Sequence, residues 1–458
     1  MDALNSRSGV AAPDRWAGGK RRSARWNKLV ETVVSLKRRP FVFAALLVFF
    51  GLYYYRPEDF IQPLGYIPMA KVAGILGFVA LLAGTMGAEK LTVPRAIKIL
   101  WLLLLQETFC IPTALWPGGA FATVFGRFGK GVVVAMLIGM VVVTIGELRK
   151  LLWIQASAVT VVTVLSIAMR NYGDEGRLAG IQNSILANPN DLAINIAITF
   201  PLALAFMLYA RGIKKLIWAL GLGFLCLGVV LTASRSGLLA LITSIIVCVW
   251  EYGIRGKRRH LVVITAVVFI LGFSAAVTNA RYRARVESIV NGDVEGQGKS
   301  AAASIKARKA LLKLSVVTAL THPLLGIGPG CFQLMADAGW KVAHNAYTEL
   351  ASEAGIPALI LFLAALGAAF KNIVQIRKSP HYLNDPEFRL FTQALWAGLA
   401  AYLTGSFFAS TEYNLYPYYV IGYTCAMVRI ASLPLAAKSE KRKSAAFSRF
   451  GYAGGNSR

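Results

Sequence analysis

The sequence predicts an all-α polytopic membrane protein with about twelve transmembrane helices and one large outer loop that contains short helices. Of its 458 residues, 56% are apolar and only 16% are charged, whereas soluble domains have about 25% charged residues. The apolar residues also lie in blocks of about 17 to 25 residues, which is the length that a helix needs to cross a bilayer core. These two observations exclude an ordinary soluble enzyme.

Twelve blocks are predicted as spans with a hydropathy window of about 19 residues. The first block is short for a bilayer core of about 30 Å, so we expect that helix to extend into its flanking residues. In chain order the predicted spans are 41–55, 64–86, 96–115, 121–146, 151–169, 191–210, 214–232, 236–253, 261–279, 346–370, 390–409 and 415–432.

These spans divide the chain into five parts. A basic leader, 1–40, is rich in Arg, Lys, Gly, Ser and Ala and is predicted to be disordered. Spans one to nine cover 41–279, and spans ten to twelve cover 346–432. The long outer loop, 280–345, lies between them, and a basic tail covers 433–458.

The charge distribution predicts the orientation in the membrane. The sequence contains 49 Lys and Arg residues against 22 Asp and Glu residues, a net charge of +27. Most of the basic residues lie in the leader, the tail and the connections on the same side as the N terminus, so the positive-inside rule places both termini in the cytoplasm. Attraction to anionic membrane lipids accounts for the excess charge, and no nucleic-acid partner is expected.

The five cysteines indicate neither disulfides nor a metal site. Their number is odd, and four of them lie inside apolar blocks, where a free thiol packs as a small apolar group. Their spacing matches no zinc-binding pattern. A disulfide framework and a structural metal are therefore not predicted.

Cationic side chains at the outer ends of the spans form the first group of candidate site residues. Arg235 stands in the sequence ASRSG between spans seven and eight, where its small neighbours allow close helix packing and leave room for a substrate head group. Since guanidinium binds phosphate through two parallel hydrogen bonds, a diphosphate would be a suitable partner. The alternative for each cation is that its side chain only extends to the membrane interface. The other cationic candidates are Lys71, Arg127, Lys130, Arg170, Arg177, Arg281, Arg283 and Arg285.

A polar stripe at the start of span ten is the second group of candidates. If that helix begins near His344, then Asn345, Glu349 and Glu353 recur every four residues on one face. An imidazole at a helix N terminus is shifted toward its neutral form, which can accept a proton from a sugar hydroxyl. The alternative is that His344 caps the helix or lies at the membrane interface.

The long outer loop contains a predicted amphipathic helix over about 304–321. Leu312, Val316 and Leu320 follow helical spacing, and basic residues cluster in the first half of the segment. This pattern is typical of a helix that lies on the outer membrane surface.

Four motifs occur in a fixed order along the chain: GRLAG with NPNDLA, then TASRSG, then HPLLGIGPGCF, and finally HNAYTELASEAGIPALI. With this order and spacing, over about 172–368, the chain resembles the O-antigen ligase/polymerase family of membrane glycosyltransferases. The resemblance implies a twelve-span fold with a periplasmic outer loop. It also implies transfer of a glycan from undecaprenyl diphosphate to an acceptor at the periplasmic face of the bacterial inner membrane, without a metal or other cofactor.

The resemblance further implies roles for the candidate residues. Arg235 would hold the lipid diphosphate, and His344 would serve the acceptor hydroxyl. An arginine of the outer loop, Arg281 or Arg283, would assist at the phosphates. Further diphosphate contacts are expected from Arg177, Arg127 and Lys130, and support on the acceptor side is expected from Asn345, Glu349 and Glu353.

The expected acceptor is a lipid A core. A repeat-unit polymerase and a protein O-oligosaccharyltransferase are alternatives within the same family, because they share the donor and differ in the acceptor. A lipid diphosphate is a good leaving group once its charge is neutralised, so the reaction needs only cations and a base. Attack from the face opposite the diphosphate predicts inversion at the anomeric carbon.

Two other classes of function stay open on the sequence alone. Glu58 and Asp59 occupy the first outer loop, where another glycosyltransferase architecture binds a metal, although two adjacent carboxylates make a poor metal site by themselves. A transporter or flippase of an anionic lipid-linked substrate would explain cations inside the membrane, and it best explains Glu107 in the middle of span three. The sequence shows no paired halves with interrupted helices, which such transporters usually have.

Overall fold

A computed structural model of the chain describes residues 40–55, 93–173, 176–180, 187–259 and 297–433, and five further residues between 72 and 79. Within these ranges the regular structure is helical, apart from an isolated antiparallel bridge between Tyr172 and Leu178. The predicted all-α class is therefore confirmed for the described part of the chain.

The helices of these ranges are named in chain order. They are α1 (Pro40–Tyr55), α2 (Arg95–Cys110), α3 (Pro117–Thr123), α4 (Gly129–Val141), α5 (Ile145–Ala168), α6 (Pro189–Tyr209), α7 (Ile213–Thr232), α8 (Arg235–Cys248), α9 (Gln297–Thr321), α10 (Ala346–Ile376), α11 (Pro380–Asn384), α12 (Pro386–Ser406) and α13 (Tyr416–Ser432). The π-helical turn Val124–Phe128 joins α3 to α4, and the π-helical turn Val249–Ile254 extends α8.

Six of the described helical segments are long and apolar enough to cross a membrane: α3 with α4, then α5, α6, α7, α8 with its π-helical turn, and α10. Each coincides with a predicted span. Twenty residues at 1.5 Å per residue cover about 30 Å, the thickness of a bilayer core. The helices α1, α2, α12 and α13 coincide with further predicted spans but are shorter or more polar. The predicted spans 64–86 and 261–279 lie outside the described residues, apart from the five between 72 and 79. The total of twelve therefore stays a prediction.

Helix α6 lies at the centre of the bundle, where it packs against α7, α8 and α12. It is the most enclosed of the six candidate spans. Gly237 in the first turn of α8 lies so near α6 that a Cβ at this position would come within 3.0 Å of the Ala193 side chain. The prediction that small residues beside Arg235 allow close helix packing is thus confirmed.

Helix α10 is interrupted at Gly355, whose φ of +83° lies outside the helical region. Pro357 has no N–H to bond the carbonyl four residues earlier. The carbonyls before the break are bonded instead by the segment 323–328, which follows α9, and by α2. The three bonds run from Ile327 N–H to Ser352 O (3.0 Å), from Gly328 N–H to Glu353 O (2.8 Å) and from Gln106 Nε2 to Ala354 O (3.2 Å). This glycine-rich segment therefore replaces missing helical hydrogen bonds, as backbone inside a membrane protein requires.

Helix α9 runs alongside the first half of α10. Ser315 Oγ donates to Thr348 Oγ1 at 2.8 Å. Eight residues further along each of the two segments, the N–H of Ile356 donates to the carbonyl of Pro323 at 2.8 Å. At 1.5 Å per residue, Ile356 lies about 15 Å from the start of α10 at Ala346. The segment after α9 therefore follows α10 over this distance before it turns back.

One face of α9 packs on the protein and the opposite face is exposed. Leu311 and Ser315 are buried, whereas Val316 and Leu320 are 41% and 68% exposed. The predicted apolar face is confirmed, and it points away from the protein. Exposed lysines occupy the first half of the same helix, which is typical of a helix at a membrane surface.

Candidate functional site

Arg235 is the first residue of α8 and is half-buried. The preceding residue, Ser234, caps this helix by accepting the N–H of Gly237 at 3.2 Å, and its hydroxyl donates to Asn190 Oδ1 at 2.8 Å. Asn190 belongs to the first turn of α6. The start of α8, with Arg235, is therefore fixed against the start of α6.

Arg177 lies beside the same cap. Its Nη2 donates to Asn190 Oδ1 at 2.8 Å, and its Nε donates to the carbonyl of Thr232, the last residue of α7, at 2.9 Å. Because Asn190 also binds Ser234, the structure brings Arg177 and the start of α8 together. Two of the predicted cations, from separate motifs, are thus neighbours.

His344 lies directly before α10 with a backbone φ of +57°, which is uncommon for a residue other than glycine. Burial lowers the pKa of His344 to about 4, and the positive charges of Arg308, Lys341 and Arg177 contribute to the shift. The imidazole is therefore neutral at physiological pH, as the sequence predicts. Arg177 therefore links the two groups of candidates: it binds Asn190, which also binds the residue before Arg235, and its charge acts on His344.

Each of three helix N termini lies beside a candidate residue. Asn188, Ser234 and Asn345 are the N-caps of α6, α8 and α10, and each side chain accepts a backbone N–H of its own helix. The sequence NPND is thus confirmed as a helix cap. Helix N termini carry partial positive charge, so together with the arginines they form an environment that suits an anion.

The predicted polar stripe of α10 is confirmed, and its side chains are bonded within the protein. Asn345 accepts the N–H groups of Tyr347 and Thr348 and donates to the carbonyl of Phe407, each at 3.0 Å. Asn345 therefore fixes the start of α10 to the end of α12. A direct contact of the stripe with an acceptor stays a prediction.

Glu353 binds residues 330–332, which follow the glycine-rich segment 323–328. Its carboxylate accepts the N–H of Gly330 at 2.7 Å, the N–H of Phe332 at 2.8 Å and the hydroxyl of Tyr413 at 2.7 Å. Glu349 accepts the N–H of Ala343 at 2.9 Å. Both carboxylates thus bind backbone N–H groups of the connection between α9 and α10.

The connection between α12 and α13, residues 407–415, also belongs to the site, and sequence reasoning missed it. Ser410 accepts the N–H of His344 at 3.1 Å, and Asn414 donates to Asp191 in the first turn of α6 at 2.9 Å. Burial and the charges of Glu349 and Glu353 raise the pKa of Glu412 well above its ordinary value. The polar run Ser-Thr-Glu-Tyr-Asn between two apolar helices was the available signal.

Most of the remaining predicted cations lie near the start of α4 or fall outside the described residues. Arg127 in the π-helical turn before α4 and Lys130 in the first turn of α4 are exposed. Arg281, Arg283, Arg285 and Lys71 lie outside the described residues, as do Glu58 and Asp59. Arg308 of α9, which the sequence analysis did not select, is the outer-loop arginine whose charge acts on His344.

Two further observations concern the alternative functions. In the described ranges no group of three or more His, Cys, Asp or Glu side chains could hold a metal ion, and metal independence stays a prediction. Glu107 is buried in α2, and one of its carboxyl oxygens has no hydrogen-bond partner among the described residues.

The fold and site define a multi-pass helical membrane protein with a cationic, histidine-containing site at one end of its helices. Residues 220–363 match the family model described as O-antigen ligase, and this region includes Arg235, Arg308 and His344. A comparison with curated proteins gave no match. This match supports the resemblance to the O-antigen ligase family that the motifs predict. The resemblance implies a glycosyltransferase-like enzyme that uses a lipid-linked glycan and a glycan acceptor.

Proposed function

We propose that the protein transfers a glycan from undecaprenyl diphosphate to a lipid A core at the periplasmic face of the bacterial inner membrane. The observation that supports this most directly is the position of Arg177. It binds Asn190, which also binds Ser234, the N-cap residue directly before Arg235. Its charge acts on the imidazole of His344. This arrangement supports a phosphate-binding group and a neutral base that act in one site.

The donor side of the reaction requires stabilisation of a leaving diphosphate. Arg235 is the first residue of α8, Arg177 binds Asn190 beside it, and the positive charge of Arg308 acts on His344. Positive groups that are fixed before the reaction stabilise the developing negative charge without having to reorganise. In this proposal they take the place of a metal ion and of a general acid.

The acceptor side requires a base. The neutral imidazole of His344 accepts the proton of the acceptor hydroxyl as its oxygen attacks the anomeric carbon. The new bond from carbon to the acceptor oxygen forms while the bond to the diphosphate oxygen breaks, and undecaprenyl diphosphate leaves with that electron pair. Attack from the face opposite the leaving group inverts the anomeric configuration.

The same donor chemistry would serve the alternatives within the family. A repeat-unit polymerase would use a growing glycan as the acceptor, and a protein O-oligosaccharyltransferase would use a Ser or Thr hydroxyl. A transporter of the lipid-linked donor would move it between leaflets and form no new glycosidic bond. Product analysis therefore distinguishes all three from the proposed ligase.

We expect the purified protein in detergent to form product from an undecaprenyl-diphosphate-linked glycan and a lipid A core acceptor when excess EDTA is present. Arginines and helix N termini, rather than a metal, neutralise the leaving group in this proposal. Product is quantified by mass spectrometry, and NMR of the new linkage should show inversion. Loss of activity in EDTA that added Mg²⁺ restores, or retention of configuration, would contradict the mechanism.

The pH dependence of kcat/KM should report the low pKa of His344 in the free protein. The base is neutral above its pKa of about 4, so kcat/KM should stay nearly constant from neutral pH down to about pH 5 and decrease below that. An unperturbed histidine would lose activity already near pH 6.5.

The exposed residue Lys341 provides a test of this pH dependence. Its positive charge lowers the pKa of His344, so Lys341→Gln should move the acidic limb of the profile to higher pH. Lys371→Gln, in the other half of α10, is the matched control and should leave the profile unchanged. An acidic limb near pH 6.5 in the parent protein would contradict the lowered pKa of His344.

A further inference from the structure

The backbone before α10 is held by a pair of side chains that the mechanism does not use. The N–H of Ala343 donates to Glu349 Oε2 at 2.9 Å, and the N–H of His344 donates to Ser410 Oγ at 3.1 Å. The Ser410 hydroxyl in turn donates to the same Glu349 oxygen. One carboxylate oxygen and one hydroxyl thus bind two consecutive backbone N–H groups.

These bonds coincide with the left-handed backbone of His344, whose φ is +57°. A residue other than glycine keeps this conformation only where surrounding contacts determine it, and such residues cluster at functional sites. Further bonds tie the same turn to the connection 407–415: the N–H of Ala346 donates to the carbonyl of Ala409 at 3.1 Å. The end of α12 therefore determines the shape of the turn that carries the imidazole.

We propose that Ser410 and Glu349 are positioning residues that hold the His344 imidazole where it can reach the acceptor hydroxyl. This proposal rests on the proposed function of His344 as the base. Both residues act through the backbone of 343–344 and need no contact with the substrate. If the turn relaxed to an extended conformation, the ring would move, and a displacement of about 1 Å can cost about 10²-fold in rate.

The test is a double-mutant cycle that combines Ser410→Ala with His344→Ala. Ser410→Ala alone should lower kcat by about 10- to 100-fold and leave the KM for the donor unchanged, because the arginines that bind the diphosphate are not altered. Ser410→Thr keeps the hydroxyl and should retain most of the activity. In the His344→Ala background, Ser410→Ala should cause no further loss.

Additional variants separate positioning from a general structural role. Ser406→Ala removes a hydroxyl from the end of α12 that binds Tyr347 rather than residues 343–344, and it should leave kcat near that of the parent. Ser410→Cys, which has a similar size and a weaker acceptor, replaces Ser410→Ala in the cycle if the alanine variant does not fold. Glu349→Gln should lower kcat in the parent and have no effect in the His344→Ala background.

The outcomes distinguish the failure of this proposal from the failure of the proposed function. Full activity of Ser410→Ala, or losses that multiply in the His344→Ala background, would overturn the positioning role while the base assignment stands. Full activity of His344→Ala itself would overturn the assignment of His344 as the base.

Discussion

The Arg235→Ala variant is expected to lose about 10²–10³-fold in kcat for glycan transfer, the usual effect of removing one group that stabilises transition-state charge. Arg235 is the first residue of α8, and its neighbour Ser234 shares Asn190 with Arg177. In the proposed function its guanidinium binds the leaving diphosphate from this fixed helix end. Arg235→Lys keeps the charge but loses the paired hydrogen bonds, so we expect an intermediate loss.

The matched control for this prediction lies at the opposite end of the same helical segment. Arg255 directly follows the π-helical turn of α8 and pairs with Glu251 at 3.4 Å. Arg255→Ala removes the same charge far from the site and should change kcat by less than about 2-fold. Rates are compared after thermal unfolding shows that each variant is folded. If Arg235→Ala and Arg255→Ala have equal activity, Arg235 does not stabilise the leaving group.

The Gly326→Ala variant should lose about 3–5 kcal/mol of unfolding free energy, since backbone strain and overpacking each cost about 1–3 kcal/mol. Gly326 has a φ of +63°, and a Cβ there would come within 3.0 Å of the backbone of Glu353. The methyl group would push the segment 323–328 away from the break in α10. The carbonyls of Ser352 and Glu353 would then lose their hydrogen-bond donors.

Gly339→Ala is the control for Gly326→Ala. Gly339 has a similar φ of +55°, but a Cβ at this position would meet no atom within 4 Å. This variant should cost only the strain of a left-handed residue, about 1–2 kcal/mol. The free energy of unfolding of both variants is measured in mixed micelles. Equal destabilisation would show that the contact of Gly326 with α10 contributes nothing.

Local rules predicted the parts of the site that depend on neighbouring residues in the sequence. The run from Asn188 to Asp191 predicts a helix cap, and the small residues around Arg235 predict close packing, because both effects act within a few residues. The spacing of Asn345, Glu349 and Glu353 predicts one face of α10 for the same reason. These predictions are confirmed by the structure.

The contributions of Ser410 and Arg308 could not be predicted in this way. Ser410 lies 66 residues from His344, and only the packing of α12 beside α10 brings the two together. The exposed apolar face of α9 could be predicted. Helical spacing places Val316 and Leu320 on one face, and the basic residues in the first half of the segment favour a membrane surface.

The interruption of α10 at Gly355 has a mechanical consequence. The outer part of this helix, 346–354, is only about 13 Å long at 1.5 Å per residue, which is too short to be stable alone. Its shape depends on the segment 323–328 and on the connection 407–415, so it forms a cooperative unit with these loops rather than with the inner part of α10. Hydrogen exchange of the backbone amides in 346–354 should therefore follow the opening of the segment 323–328 and the connection 407–415. It should not follow the unfolding of the whole helical bundle.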